Sequence, residues 1–180
     1  MTWVRNYLLG VGLGLCLLAA AWRLDHDPRT VEDFVQRIDT ATIRRPAPEV
    51  FSVADVPIGG IAKSSIRVEH PSRIAWDVMV PRHAWVEADL ALQEAAWNAP
   101  GDGVVFRVGV SHANVYTELL AQVVNPFEQP ADRRWVPIAV DLTPYAGRRV
   151  SLIFNTRAGL SGDNRTNDLA VWGALRLVTR

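Results

Sequence analysis

The amino-acid sequence predicts an all-β fold, an antiparallel sandwich of two sheets over residues 49–180, and two observations lead to this prediction. First, apolar residues alternate with polar or small ones at a period of two, which gives each strand one buried and one solvated face. Second, Gly, Pro, Asn and Asp cluster between the alternating stretches, where turns are expected. The positions predicted to face inward are Ile74, Trp76, Val78, Val80, Val86, Ala88, Leu90, Leu92, Val104, Phe106, Val108, Val110, Val136, Ile138, Val140, Leu142, Val150, Leu152, Phe154, Leu169, Val171, Leu175 and Leu177.

Composition narrows the function classes. The chain carries 19 Lys and Arg against 19 Asp and Glu, so no basic field indicates nucleic-acid binding. Cys16 is the only cysteine, which excludes an intrachain disulfide and a zinc site built from cysteines. The partners to consider are therefore a membrane, a protein or a small molecule.

An apolar segment at the N-terminus predicts a transmembrane anchor helix over residues 1–24. Trp3 and Trp22 bracket it as interfacial residues, and about 20 residues at 1.5 Å each span roughly 30 Å, the thickness of a bilayer's hydrocarbon core. Arg5 and Arg23 lie near its two ends, where they reach the lipid headgroups. A short tail before the span and a folded domain after it are the layout of an uncleaved signal anchor. We therefore expect a single-pass protein of the bacterial inner membrane, with a cytoplasmic N-terminus and a periplasmic sandwich, although the Lys and Arg count around the span does not favour this orientation.

Two features of this segment leave alternatives open. Ala19-Ala20-Ala21 offers an A-x-A site, so a cleaved signal peptide is the rival interpretation. Gly10, Gly12 and Gly14 place small residues along the helix, and the spacing from Gly10 to Gly14 is that of a helix-packing motif. Glycine is also frequent in membrane helices without such a role. The segment predicts contact with the lipid bilayer and, through the glycines, packing against integral-membrane partner subunits.

Residues 25–48 predict a linker that contains a short amphipathic helix over residues 30–38. Thr30 suits the N-cap position. The apolar residues after it follow with helical spacing, namely Val31, Phe34, Val35 and Ile38. A helix this short needs a surface to pack on, which is the sandwich, the membrane or a partner, with Phe34 as the candidate contact.

Three blocks of the sequence, residues 101–104, 135–147 and 168–173, resemble galactose-binding-like domains, and the resemblance covers roughly residues 65–178. It implies that the sandwich is jelly-roll-like. Domains of this kind are attached to bacterial membrane proteins and extracellular enzymes, and some of them bind carbohydrate. Related domains often carry a proline two residues after the Trp-Gly of the last block, whereas Ala174-Leu175 follow here.

One polar loop has the composition of a metal site. Asp163, Asn164, Asn167 and Asp168 supply hard oxygen ligands of the type that Ca²⁺ prefers. Structural calcium is common in the carbohydrate-binding domains that the chain resembles. The alternative is a solvated polar turn, so the sequence implies no cofactor beyond this structural calcium.

Tryptophans provide candidate contact residues. Trp135 and Trp172 fall on the phase opposite the apolar residues of their strands, so we expect them to be exposed, and Trp85 joins them as a candidate. An outward tryptophan stacks on a sugar ring or anchors a protein interface, and the sequence leaves both open.

Catalytic patterns are absent from the sequence, which predicts that the chain is not an enzyme. The residues around Ser161 lack the G-x-S-x-G of a nucleophile elbow. The four histidines show no metal-ligand spacing, and these are His26, His70, His83 and His112.

Three hypotheses about function follow, and the one with the least support is a hydrolase, which rests only on the loop residues around Ser161. The first is a non-catalytic accessory subunit whose sandwich docks on an integral-membrane protein complex. By analogy only, small extra subunits of bacterial energy-transducing or photosynthetic assemblies have this general build. The second is a membrane-tethered carbohydrate-binding module, with a glycan as its partner.

Overall fold

The computed structural model describes residues 28–68, 71–159, 166–167 and 169–180. Helical structure in these ranges is limited to 3₁₀ turns of three residues, so no described helix is long and apolar enough to cross a membrane. The strands of the described residues are β1 (Arg29–Asp33), β2 (Ile43–Arg45), β3 (Phe51–Ile58), β4 (Ile61–Val68), β5 (Ser72–Met79), β6 (Ala84–Leu92), β7 (Val104–His112), β8 (Val115–Val124), β9 (Val136–Asp141), β10 (Arg149–Ala158) and β11 (Ala170–Thr179).

These strands form two sheets. Sheet A has the order β3-β4-β11-β6-β9, with β1 paired to β11, and sheet B has the order β2-β5-β10-β7-β8. Every pair of neighbouring strands in these two orders is antiparallel. The predicted all-β fold with two antiparallel sheets is therefore confirmed.

The hydrophobic core lies between the sheets, as the alternation of the sequence requires. Aromatic rings fill its centre: the Trp76 and Phe34 centroids are 4.8 Å apart, and Phe154 lies 5.9 Å from Trp76. Phe106 and Trp172 continue the cluster, with centroids 5.0 Å apart and ring planes nearly perpendicular. Such edge-to-face pairs are favourable beyond the area that they bury.

The amphipathic helix predicted over residues 30–38 is wrong. Thr30 lies within β1, and the backbone then turns, because the Asp33 carboxylate accepts hydrogen bonds from the backbone N–H groups of Val35 at 3.0 Å and Gln36 at 3.2 Å. Phe34 donates its N–H to the carbonyl of Leu175 and is 1 % exposed in the core, so it does not contact a partner. Pairing with the sheet outweighs the weak intrinsic preference of a short helix. The compact unit of Thr30–Thr179 contains β2 and residues 30–33 of β1, and the predicted domain boundary at residue 49 stays a prediction.

The predicted orientation of Trp172 is also wrong. The register between β11 and β6 shifts between Gly173 and Arg176, and Ala174 has a left-handed φ of 46° at this β-bulge. A bulge inserts a residue and reverses the alternation of faces beyond it. Trp172, only 1 % exposed, therefore faces the core, while Val171 lies on the outer face of sheet A.

Candidate functional site

Trp135 faces outward as predicted but is covered. It precedes β9 and packs on the outer face of sheet A, where it is 7 % exposed. Its indole Nε1 donates to the carbonyl of Ile61 at 2.8 Å, and the Lys63 Nζ lies 5.5 Å from its ring centroid. The ring lies directly on Gly173, since a Cβ at that glycine would be 2.6 Å from Trp135 Cζ3. The expectation that Trp135 is exposed is wrong, because its ring packs against the outer face of sheet A and is held there by the hydrogen bond to Ile61. Trp85 is half-buried on β6, and its role as a contact stays a prediction.

Most of the other predicted site residues lie outside the described residues. This holds for the membrane-helix glycines Gly10, Gly12 and Gly14, for the interfacial Trp3, Arg5, Trp22 and Arg23, and for Asp163, Asn164 and Asp168 of the calcium loop.

Asn167 is the described member of the calcium loop. It has a left-handed φ of 63°, and its side-chain Nδ2 donates to the carbonyl of Pro100 at 2.8 Å. This contact ties Asn167 to the turn before β7. Among the described ranges, no three His, Cys, Asp or Glu side chains come together as metal ligands. A calcium site in this loop stays a prediction.

The outer face of sheet B carries a groove of about 530 Å³. Eight of its ten described lining residues are polar or charged and lie on β2, β5, β7, β8 and β10, and the other two are adjoining prolines. The lining residues are Arg45, Pro46, Pro71, Ser72, Arg73, Arg107, Tyr116, Asn155, Thr156 and Arg157. We call this the sheet B groove.

A straight cross-strand row forms the floor of the sheet B groove. Arg45 on β2 is directly opposite Arg73 on β5, Arg73 is opposite Asn155 on β10, and Asn155 is opposite Arg107 on β7. Residues directly opposite each other share a face of the sheet, so all four side chains leave from the same side. Within the row, Arg73 Nε donates to Asn155 Oδ1 at 2.8 Å. We call these four residues the arginine row.

Tyr116 on β8 forms one wall of the groove. Its side chain is 45 % exposed, yet its hydroxyl edge lies against β7 at Gly109. A Cβ at Gly109 would be 2.5 Å from both Tyr116 Cε2 and Tyr116 Oη, which is far inside van der Waals contact. The absence of a side chain at Gly109 therefore lets the Tyr116 ring rest on the sheet.

Charges around Tyr116 set its protonation. Burial of the hydroxyl edge raises the pKa of Tyr116, the nearby Glu118 carboxylate raises it further, and the positive charges of Arg73 and Arg107 oppose these effects. The phenol therefore stays neutral at physiological pH and keeps a hydroxyl that can donate and accept. Glu118 also pairs with Arg107, with a distance of 3.0 Å between Oε2 and Nη1.

Arg107 retains an unused donor. Its Nε is buried and has no hydrogen-bond partner within the part of the chain that the structure describes. A buried N–H without a partner is costly, and native proteins seldom leave one so unless a ligand or water completes it. This donor belongs to the arginine row but is shielded from solvent, so a ligand in the groove would reach it only after the Arg107 side chain moved.

Comparisons with known proteins place these observations in context. No protein-family model matches the chain. An uncharacterized protein of Archaeoglobus fulgidus is 33% identical over 102 residues, which cover 56% of this chain and 25% of that protein. The chain therefore spans about a quarter of the length of the curated relative that it matches.

Solved structures with a similar fold contain carbohydrate-binding modules. One is the M60 catalytic domain with the CBM51-1 and CBM51-2 domains of Clostridium perfringens ZmpB, with a TM-score of 0.58 and 14% identity over 84% of this chain and 15% of that chain. Another is TmCBM61 in complex with β-1,4-galactotriose, with a TM-score of 0.53 and 11% identity over 84% of this chain and 99% of that one. At these identities the similarity concerns the fold alone. The described part of the chain thus has the galactose-binding-like jelly-roll sandwich fold that the sequence resemblance implied.

Proposed function

We propose that this chain is a carbohydrate-binding module whose sheet B groove holds an oligosaccharide. The observation that carries the proposal is the pairing of the Tyr116 ring, fixed on Gly109, with the polar arginine row beside it. Sugars are recognised in this way, because their apolar faces stack on an aromatic ring while their hydroxyls bond to amides and charged groups at the edge.

The size of the groove supports the proposal. A volume of about 530 Å³ falls within the range of about 300–1,000 Å³ that is usual for small-molecule sites. The fold gives further, weaker support, because the similar structures named above include modules that bind carbohydrate, and one holds β-1,4-galactotriose.

The lining of the groove favours binding over catalysis. Glycoside hydrolysis needs a pair of carboxylates on either side of the scissile bond. The described residues that line the groove include no Asp or Glu, and Glu118 beside it is paired with Arg107. The proposal is therefore a non-catalytic module.

The proposal includes a membrane tether formed by the predicted anchor of residues 1–24, with the sandwich in the periplasm. The apolar length of this segment and its bracketing tryptophans support it. Carbonate extraction of membranes and protease protection of intact spheroplasts test it on the full chain. A chain that leaves the membrane in carbonate, or a sandwich that protease cannot reach once the outer membrane is opened, would count against the tether or its orientation.

The accessory-subunit hypothesis lacks comparable support. Three of its four candidate contacts are covered by the chain itself: Phe34 and Trp172 pack between the sheets, and Trp135 packs on the outer face of sheet A. The described residues therefore favour glycan binding.

Substitution of Tyr116 by alanine tests the proposal. The full chain in detergent is first screened on a broad glycan array, and the dissociation constant of the best ligand is then measured by isothermal titration calorimetry. We expect Tyr116→Ala to weaken binding about tenfold, because the stacking surface is lost. Phe127→Ala is the matched control, since Phe127 is also exposed, at 41 %, but does not line the groove. Equal affinity of Tyr116→Ala and wild type, or no binding to any glycan on the array, would refute the proposal.

A further inference from the structure

The described lining of the sheet B groove is positively charged. Arginines account for four of its ten described lining residues, and no acidic residue is among them. Glu118 pairs with one of these arginines, Arg107, and the other three form no ion pair with a described residue. Asp77 faces the same side of β5 but lies four residues from Arg73, about 13 Å away at ~3.3 Å per residue.

The arrangement of these charges is unfavourable while the groove is empty. Arg45 is directly opposite Arg73, and like charges directly opposite on neighbouring strands destabilise a sheet. Arg73 and Arg107 flank Asn155 one strand away on either side, so their backbones are about 10 Å apart. A bound anion between these side chains would offset the repulsion between the arginines.

The guanidinium groups also have donors to offer. Arg73 uses Nε on Asn155, and none of its terminal nitrogens is paired with a described residue. The guanidinium groups of Arg45 and Arg157 likewise form no hydrogen bond or ion pair with the described residues. Planar guanidinium groups bind carboxylate and sulfate oxygens through two parallel hydrogen bonds, which a neutral hydroxyl cannot match.

We propose that the sheet B groove selects carbohydrates that carry an anionic group, a carboxylate or a sulfate ester. Arg73 and Arg107 hold the anion from either side of Asn155, and Tyr116 stacks on the sugar ring that carries it. This inference rests on the proposed function and names its ligand class.

Three probes of equal length test the inference on the full chain in neutral detergent. Oligogalacturonate carries carboxylates, a carrageenan oligosaccharide carries sulfate esters, and β-1,4-galacto-oligosaccharide is neutral. Calorimetry at 50 and 300 mM NaCl should show at least one acidic probe binding tenfold or more tighter than the neutral one at low salt. The preference should shrink at high salt, because exposed charges are screened. The comparison of the two acidic probes identifies the anion.

Arginine variants locate the selectivity. Arg73→Gln should abolish the preference for the acidic probe while weak binding of the neutral probe persists, and Arg73→Lys should restore only part of it, because lysine keeps the charge without the bidentate geometry. Arg149→Gln is the matched control. It removes the same charge from the outer face of β10, six residues and about 20 Å from Asn155, and should bind like wild type. Thermal melting checks that each variant is folded.

Several outcomes would overturn the inference. Equal affinity for neutral and acidic probes would refute the selectivity for anionic carbohydrates but would leave the proposed carbohydrate binding unaffected. Failure to bind any of the probes or any glycan on the array would remove both. Arg73-dependent binding to vesicles with anionic phospholipid that is tighter than binding to the acidic probes would assign the arginine row to lipid headgroups instead.

Discussion

Gly109→Ala tests how the groove is built, because it changes Tyr116 without touching that residue. The new Cβ would lie 2.5 Å from the phenol ring, where an ordinary contact requires about 3.5 Å, so the ring must move by about 1 Å. Tyr116 is nearly half exposed and can lift away from the sheet. The variant should therefore stay within about 1 kcal/mol of wild type in stability, since alanine also reduces the entropy of the unfolded chain. Binding should weaken about fivefold, which corresponds to about 1 kcal/mol for a lost aromatic stack.

A double-mutant cycle decides whether the loss passes through Tyr116. Calorimetry gives the affinity of Gly109→Ala, Tyr116→Ala and the double variant for one glycan ligand, and thermal melting confirms that all three are folded. In the Tyr116→Ala background the Gly109 substitution has no ring to displace, so it should change the affinity no further. Losses that add in the double variant would refute the reasoning, because Gly109 would then act on the ligand or the sheet directly.

Three further predictions concern stability. Gly173→Ala should lower the free energy of unfolding by about 2 kcal/mol and the melting temperature by about 4–8 °C. The new methyl group would overlap the buried Trp135 ring, which cannot move away without losing its hydrogen bond. An unchanged melting temperature would contradict this packing. Phe34→Ala should lower the free energy of unfolding, measured in urea, by about 3–5 kcal/mol. Val31 is 45 % exposed, so Val31→Ala should change this free energy by no more than about 0.5 kcal/mol. Similar losses for both variants would contradict the core position of Phe34. Hydrogen bonds from the side chain and then the backbone of Thr143 lower the pKa of Asp141 below its ordinary value of 3.8. The stabilisation by Asp141 should therefore be present above pH 3.8 and disappear as the pH falls through the lowered pKa of the folded state. It should be missing at neutral pH in Asp141→Asn, and urea titrations across pH measure this difference.

The sandwich could be predicted because its signal is local. The alternation in β5, β7 and β10 places every second side chain in the core, and a residue's own neighbours suffice to reveal it. The errors arose where the phase depends on a feature with no local signal. The bulge at Ala174 reverses the alternation of β11, and neither Ala174 nor Trp172 differs in type from a residue of a regular strand.

The segment from residue 30 to 38 shows a second limit. Its apolar residues are consistent with a helix, but Phe34 and Val35 are buried side by side after a strand, at a turn that the Asp33 carboxylate stabilises. No local pattern around residue 30 indicates that β1 pairs with β11, which lies about 140 residues away along the chain. Long-range pairing decided between two local structures of similar intrinsic stability.

The groove could not be assembled from sequence for a related reason. Arg45, Arg73, Arg107 and Asn155 each read as an ordinary outward residue of a strand, and only the strand order β2-β5-β10-β7 and its register align them. Their alignment is unfavourable in itself, because it brings like charges together on one face. A sequence under selection for stability alone would be expected to lose such a row, so its presence argues that the positive charge has a use. Removing Arg45 separates the two explanations: Arg45→Gln should raise the melting temperature slightly while weakening the preference for an acidic glycan, whereas a purely structural row would lose stability and leave the preference unchanged.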